Sequence, residues 1–273
     1  MPVSRRTALK GLLATTLGAV TGASIYGGGY ERHRLGVTTA SLKVRNLPTA
    51  FEGLRVAFLT DIHHSLLVPA DDIARAVVVA NELKPDLIIL GGDYVTYGDH
   101  KYIEPVAELL APLEAPLGVI AILGNHDDDR DMPAALTRRR LTVLKDQRMQ
   151  ITKHGDALDL FGIRFWTQKI ADIARVFRNQ KPALLLAHDP RRLIEAATLE
   201  VPAVLSGHTH GGQIVIPGLG APAARKYPVT AGLGSRGSTS IFVSRGIGTI
   251  YLPVRINCPP EVALITLRGH ADA

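Results

Sequence analysis

Seven side chains of the kinds that bind metal ions lie in five short clusters along the chain: Asp61-Ile62-His63, Gly92-Asp93, Gly124-Asn125-His126-Asp127, His188 and Gly207-His208-Thr209-His210. Carboxylate and amide oxygens combined with imidazoles, and no thiolate, suit first-row ions such as Mn, Fe, Zn or Ni better than a structural zinc knuckle. Seven ligands exceed what one ion with an open position needs. If one carboxylate bridges, they divide into two sites of four ligands each. Two ions about 3.5–4 Å apart can hold a hydroxide between them and clamp a phosphoryl oxygen during in-line displacement. The expected chemistry is phosphoester hydrolysis. Taken singly, Asp-x-His and Gly-Asp carry little weight, because Gly-Asp is ordinary turn chemistry. Two histidines at i and i+2 turn toward one point only in a special loop, and the ordered set carries the weight.

Each cluster follows an apolar, β-branched run and closes on small residues, so the ligands fall where strands end and loops begin. Loops held by a rigid sheet are where α/β proteins place their chemistry. The runs 54–59, 86–90 and 118–123 read as strands that deliver Asp61, Asp93 and Asn125. A helix is predicted over 69–83: Pro69 suits a first turn, Asp71 and Asp72 suit the positive end, and Lys84-Pro85 stops it. A second is predicted near 102–110. This alternation is the pattern of a mainly parallel sheet covered by helices. The second half is richer in strands: 150–163 alternates around His154-Gly155-Asp156 like a hairpin, 183–187 delivers His188, 201–205 delivers His208, and 241–244 and 261–267 close the fold. Residues 31–51 read as a linker and first edge strand. Residues 217–240 have little periodicity and are too long for a simple connection, hence either disordered or a functional lid.

From residue 54 to 268 the ordered pattern Asp-x-His, Gly-Asp, Gly-Asn-His-Asp, His, Gly-His-x-His resembles that of the calcineurin-like metallophosphoesterases. The resemblance implies an α/β fold, a four-layered α-β-β-α sandwich of two mixed sheets with the metal site at the strand ends. It also implies that Asp61, His63 and His210 hold one divalent ion, that Asn125, His188 and His208 hold the other, and that Asp93 bridges both. His126 matches the family's non-ligand histidine near the leaving group, and Asp127 the acid that orients it. Within the family, Gly-Gly-Asp-Tyr at 91–94, Gly-His-Thr-His-Gly-Gly-Gln at 207–213, Val-Ser-Arg-Gly-Ile-Gly at 243–248 and Pro-Pro-Glu at 259–261 resemble an envelope-associated branch. Some members of that branch and its neighbours are similar to UDP-2,3-diacylglucosamine pyrophosphatases.

At 273 residues, 46% hydrophobic, the chain can bury the core of one large domain. Arg5, Arg6 and Lys10 supply three of its net charge of +6, leaving an unremarkable +3. Aromatics at 5% and the lack of a basic stripe argue against nucleic-acid binding. Arg138-Arg139-Arg140 follows a helical stretch and reads as a solvated helix end. Ser4-Arg5-Arg6-Thr7-Ala8-Leu9-Lys10 before the charge-free residues 11–30 is similar to a twin-arginine export signal, with Ala8 where Phe is usual. Residues 1–30 therefore read as an export signal or membrane anchor, and 31–273 as the phosphoesterase domain. The domain is expected across the membrane, periplasmic or in the cell envelope, with the twin-arginine machinery and a phosphoester substrate as partners. Ala23 offers a cleavage position without a clean Ala-x-Ala. The single cysteine, Cys258, excludes an internal disulfide and reads as a buried, inert thiol.

Several residues have two readings. Tyr94 follows the bridging aspartate and either lines the leaving-group side or is a core tyrosine. Arg225, Lys226, Tyr227 and Arg236 either meet an anionic head group or belong to a solvated loop. His64 points away from the ligand set if its backbone stays extended. His33, His100, His154 and His270 have no motif context. Three functions compete: an exported two-metal phosphoesterase, a lipid A pyrophosphatase whose nucleotide-lipid substrate is cytoplasmic, and a scaffold that has lost catalysis. Membrane topology separates the first two, and a scaffold should lack His126 or a ligand.

Overall fold

The computed structural model describes residues 4–177 and 183–270; residues 1–3, 178–182 and 271–273 lie outside them. Helix α1 (Arg5–Ile25) is solvent-exposed and continues through a π-helical turn, Tyr26–Tyr30, and a 3₁₀ turn, Glu31–His33. Ser4 caps it, its hydroxyl accepting the Thr7 amide. Among the described residues it is the one helix long and apolar enough to cross a membrane, with mean hydropathy 1.3.

The remainder follows as β1 (Gly36–Arg45), β2 (Arg55–Leu59), α2 (Ala70–Glu82), β3 (Leu87–Leu90), α3 (Ile103–Leu110), β4 (Val119–Ala121), α4 (Asp131–Arg138), β5 (Thr142–Val143), β6 (Gln147–Lys153), β7 (Asp156–Gly162), α5 (Ile170–Phe177), β8 (Leu184–Leu186), α6 (Leu193–Thr198), β9 (Ala203–Ser206), β10 (Gly232–Arg236), β11 (Thr239–Val243) and β12 (Glu261–His270). One six-stranded sheet has the order β1-β12-β2-β3-β4-β5, the other β10-β11-β9-β8-β7-β6. Both are mixed. In the first, β12 runs antiparallel to β2 but parallel to β1. In the second, β10 and β6 are the antiparallel edges of a parallel centre.

Period-two alternation explains the layers. Val56, Phe58, Ile89 and Ile120 of the first sheet face Leu158, Leu160, Leu186 and Leu205 of the second, forming the central core. The alternate residues, Ala57, Leu59, Ile88 and Leu90, meet α2, α3 and α4 through Ile73, Ala76, Val106 and Leu136. On the far side Phe161, Leu185, Val204 and Ile241 meet α5 and α6 through Ile173, Phe177 and Leu193. The central strands are buried on both faces, which is why they read as continuous apolar runs. The four-layered sandwich is the fold.

Two stretches differ from expectation. Residues 217–240 are neither disordered nor a loop throughout: Pro222–Ala224 forms a 3₁₀ turn, and β10 pairs with β11. The sequence Gly-Leu-Gly-Ser-Arg has little strand propensity, and pairing with β11 overrides it. Pro69 is the residue before α2, its extended backbone entering the helix, while Asp71 and Asp72 occupy the first turn. Arg138 and Arg139 end α4 in ion pairs with Glu104 and Glu108 of α3.

Candidate metal centre

Strands β2, β3, β4, β8 and β9 end on one side of the two sheets, and each delivers its cluster there. The chain must turn sharply at these ends. Asp61, His63, Asp93, His208 and His210 have φ of 52°, 52°, 56°, 71° and 51°, the left-handed region that non-glycine residues rarely enter. Such conformations cost on the order of 1–3 kcal/mol each and persist where the surroundings over-determine them. Backbone bonds from Asp61, His63 and His64 N–H to the Gly92, Asp93 and Tyr94 carbonyls, 2.9, 3.0 and 2.8 Å, weld the first two loops together. The motif glycines make room. A Cβ at Gly124 would overlap the Asp93 carboxylate, and one at Gly207 that of Asp61.

The ligand atoms of Asp61, His63 and His210 lie within 4.8 Å of one another, as do those of Asp93, His188 and His208. Each group draws on both sheets. The groups meet at Asp93, whose Oδ2 is 3.1 Å from His188 Nε2 and 3.5 Å from His63 Nε2. Its Oδ1 accepts the His126 N–H at 2.9 Å, and the Asp61 carboxylate accepts the His208 N–H at 2.9 and 3.0 Å, so both carboxylates are aimed by a neighbouring loop. His188 Nδ1 is held by the Gly91 carbonyl at 2.7 Å, turning Nε2 into the site, and Thr96 Oγ1 is 3.3 Å from His63 Nδ1.

Protein–protein contacts leave this cluster unsatisfied, and a pair of cations fits it. Asn125 Oδ1 and His210 Nδ1 are buried without hydrogen-bond partners, and His63 Nε2 faces His210 Nε2 at 3.1 Å. Burial pushes His63 and His208 down to about 4, keeping their lone pairs free for an ion. Burial also raises Asp61, to about 6, whereas at His188 the carboxylates of Asp93 and Asp61 overcome burial and carry it to about 10. Asp93, which burial alone would raise, is held below the usual carboxylate range by His188 and His63. The donor set accommodates two divalent metal ions, one per group.

The centre forms the floor of a cleft of about 440 Å³. Asn125 and His126 line it, with Ile214, Lys226, Tyr227 and Tyr251 on its walls. His126 Nδ1 accepts the Tyr97 N–H at 3.0 Å, so the neutral ring carries its proton on Nε2. Its ring stands edge-on to that of His63, centroids 5.0 Å apart.

Some residues sit elsewhere than the sequence suggests. Asp127 does not touch the His126 ring: its carboxylate accepts the backbone N–H groups of Asp93, Tyr94 and Gly124 at 2.7, 2.7 and 2.8 Å, locking two ligand loops together. Tyr94 is fully buried, its hydroxyl donating to the Ile122 carbonyl at 2.9 Å, which makes it a core tyrosine and not a cleft residue. Arg225 is exposed and donates to the Leu219 carbonyl, and Arg236 ends an exposed edge strand. Lys226 and Tyr227, not these arginines, reach the cleft. His64 is buried against Val68 O and the Tyr102 ring, outside the ligand set. Cys258 is a buried thiol that burial raises.

Arg255 is the residue that pattern reading missed. It is fully buried, and its guanidinium donates to the carbonyls of Arg245, Gly246, Gly248, Cys258 and His210 at 2.8, 3.3, 2.5, 3.0 and 3.4 Å. Among the described residues no carboxylate bonds it, and its Nε has no partner. Three loops around the site thus hang on one cation. In the sequence it is a single charge inside Leu-Pro-Val-Arg-Ile, indistinguishable from a solvated loop residue.

Comparison with known proteins agrees with this geometry. The Metallophos family, calcineurin-like phosphoesterase, matches residues 54–212. The chain is 32% identical over 290 residues to the uncharacterized metallophosphoesterase YkuE of Bacillus subtilis (strain 168), covering 98% of each. It is 33% identical to the phosphodiesterase YaeI of Escherichia coli (strain K12), covering 78% of this chain and 82% of that one. A transmembrane protein with metallophosphoesterase domain from Danio rerio is 28% identical, over 85% of this chain and 57% of that protein.

Proposed function

The chain belongs to the calcineurin-like phosphoesterase family, and from that premise we propose that it is an exported dinuclear-metal phosphoesterase whose substrates are phosphomono- or phosphodiesters of the cell envelope. The observation that carries the two-ion reading is the position of Asp93 Oδ2, within 3.5 Å of an imidazole nitrogen of each ligand group. Asp61, His63 and His210 would hold one ion, Asn125, His188 and His208 the other, and Asp93 both. When bound, such ions stabilise charge on phosphoryl oxygens and lower the pKa of the attacking water.

The chain's own groups do the rest. His126 presents Nε2–H to the cleft, where the neutral ring hydrogen-bonds to the departing ester oxygen and stabilises the charge there; to protonate that oxygen it would start as the imidazolium, giving up the Tyr97 bond, and return to the neutral ring. Asp127 holds the loops of Asp93 and Asn125 in fixed relation through its three amide bonds. Lys226 on the cleft wall supplies a cation for an anionic group of the substrate. Complete ligand groups and a placed His126 favour catalysis over a scaffold role.

Residues 1–30 act as twin-arginine signal or membrane anchor, and 31–273 as the catalytic domain. Support comes from Arg5-Arg6 ahead of an apolar helix and from the transmembrane relative. The competing substrate is UDP-2,3-diacylglucosamine, favoured by the apolar cleft residues Ile214, Ile250 and Leu252. An exported domain would not meet that cytoplasmic nucleotide-lipid.

The test is to load the purified chain with Mn, Fe, Zn or Ni and profile it against mono-, di- and pyrophosphoesters. Wild type should bind two equivalents, while Asp93→Asn disturbs both sites and abolishes turnover. Two full equivalents and intact activity in Asp93→Asn would overturn the bridging assignment. Pyrophosphate cleavage alone, with a cytoplasmic domain by protease access, would select the lipid A reaction.

A further inference from the structure

We propose that the face around the mouth of the cleft is a docking surface for a lipid bilayer, so that the phosphoester reaching the centre is the head of a membrane amphiphile. Only the second half rests on the phosphoesterase reading.

The apolar N-terminal helix does not leave the domain at a neutral place. The Gly27 carbonyl accepts the Arg255 N–H at 3.1 Å, and a Cβ at Gly27 would collide with Val254 and Arg255. Buried Glu31 accepts the Cys258 N–H at 2.6 Å. Arg32 donates to the Leu67 carbonyl at 3.1 Å, and His33 Nδ1 is 2.7 Å from Asp72 Oδ2. The end of the helix is therefore fastened to the 64–72 and 250–258 segments, at the ligand-bearing end of the sheets.

Those same segments expose large apolar side chains: Leu66 is 89% exposed, Tyr251 75% and Leu252 60%, with Leu67 beside Leu66 and Tyr26 and Tyr30 on the helix itself. Tyr97, also exposed, lies 6.3 Å from the Tyr251 ring and 4.9 Å from that of His126, so exposed rings lead from the 250–252 segment to His126. The exposure is built in. Gln213, next to the metal-ligand loop, exchanges side-chain bonds with Ile250 and Leu252, and Tyr251 is held at φ 62° with its ring outward. Ile250, Tyr251 and Leu252 also wall the cleft, which therefore opens onto the patch.

Soluble surfaces seldom gather so many large apolar groups, and tyrosines with a wet hydroxyl and an apolar ring are characteristic of the bilayer interface. The occupant is a bilayer and not a soluble partner because a helix of membrane-spanning length and apolarity ends on the patch. An anchor there holds the cleft mouth on the bilayer side of the domain.

The full chain, incorporated into phosphatidylcholine–phosphatidylglycerol vesicles, tests this. Its single tryptophan is Trp166. In a Trp166→Phe background, one tryptophan is placed by Leu67→Trp, Tyr251→Trp or, at the hairpin turn on the opposite end of the second sheet, His154→Trp. Lipids with brominated acyl chains should quench emission by roughly twofold at 67 and 251 and leave 154 unchanged, since quenching needs insertion at the interface. Vesicle-bound protein with no quenching at 67 and 251, or a chain that does not bind vesicles, overturns the proposal. The rim variant Leu66→Asp with Leu67→Asp should lose roughly tenfold on hexadecyl 4-nitrophenyl phosphate carried in the vesicles and keep its rate on soluble bis(4-nitrophenyl) phosphate, because only the former is presented by the surface. Equal rates on the lipid ester would refute the substrate class. Wild type inactive on both esters, with quenching intact, would remove the phosphoesterase reading and leave the docking surface standing.

Discussion

With the Nδ1 lone pair of His126 occupied by the Tyr97 amide, whatever this ring gives to a substrate leaves through Nε2–H. His126→Ala should therefore keep two metal equivalents and lose about 10²–10⁴-fold in kcat, the range of a lost general acid. The loss should be larger for alkyl than for 4-nitrophenyl leaving groups, because an activated aryl oxide hardly needs a proton. Metal analysis and steady-state rates on paired esters check this, and equal losses on both ester types would exclude proton donation. The ligand residues were legible because their types, order and spacing are set by the ions they would hold. Asp127 was visible as a motif member but not in its action, which depends on the amides of Asp93 and Tyr94, 34 and 33 residues away in sequence, joining that of Gly124. Tyr94, Arg225 and Arg236 carry no periodic or spacing signal. Only packing separates a core tyrosine from a cleft tyrosine, and only the path of the 217–240 segment separates Lys226 from Arg225.

At the scale of elements, short strands were readable because both their faces are buried, and their apolar runs end at the clusters they deliver. The short helices α5 and α6 and strand β10 were not, since tertiary contact and not local pattern stabilises elements of 5–8 residues. The loops beyond the strands are held in left-handed turns by neighbours, and Arg255 is the neighbour common to three of them. Its burial lowers its pKa, and carbonyl dipoles replace the missing counter-ion. Arg255→Met should destabilise the chain by about 1–3 kcal/mol for each buried carbonyl left without a donor. It should also weaken binding of the ion at Asp61, His63 and His210, because the His210 carbonyl loses its anchor. Arg255→Lys should recover only part of either loss, since three donors cannot serve five carbonyls. Thermal unfolding with and without chelator gives both quantities, and an Arg255→Met protein with unchanged Tm would refute the clamp.

At the scale of the molecule, the proposed export would link to folding through two distant segments of the chain. If Arg5 and Arg6 address the twin-arginine route, Arg5→Lys with Arg6→Lys should strand the folded protein in the cytoplasm, because an ammonium lacks the planar donor fork of a guanidinium. Cell fractionation measures this, and unchanged export, or dependence on the general secretory route, would reject the address. The second segment is β12, which is inserted between β1 and β2 and is not appended to an edge. Until residues 261–270 have been synthesised, β1 has no partner and β2 has a bare edge, so the first sheet cannot close however long the N-terminal half has waited. Translation runs from the N-terminus, and a ribosome that stops early releases a chain missing an interior strand. A translocase that accepts only folded cargo would then be inspecting, in effect, whether residues 261–270 had been made.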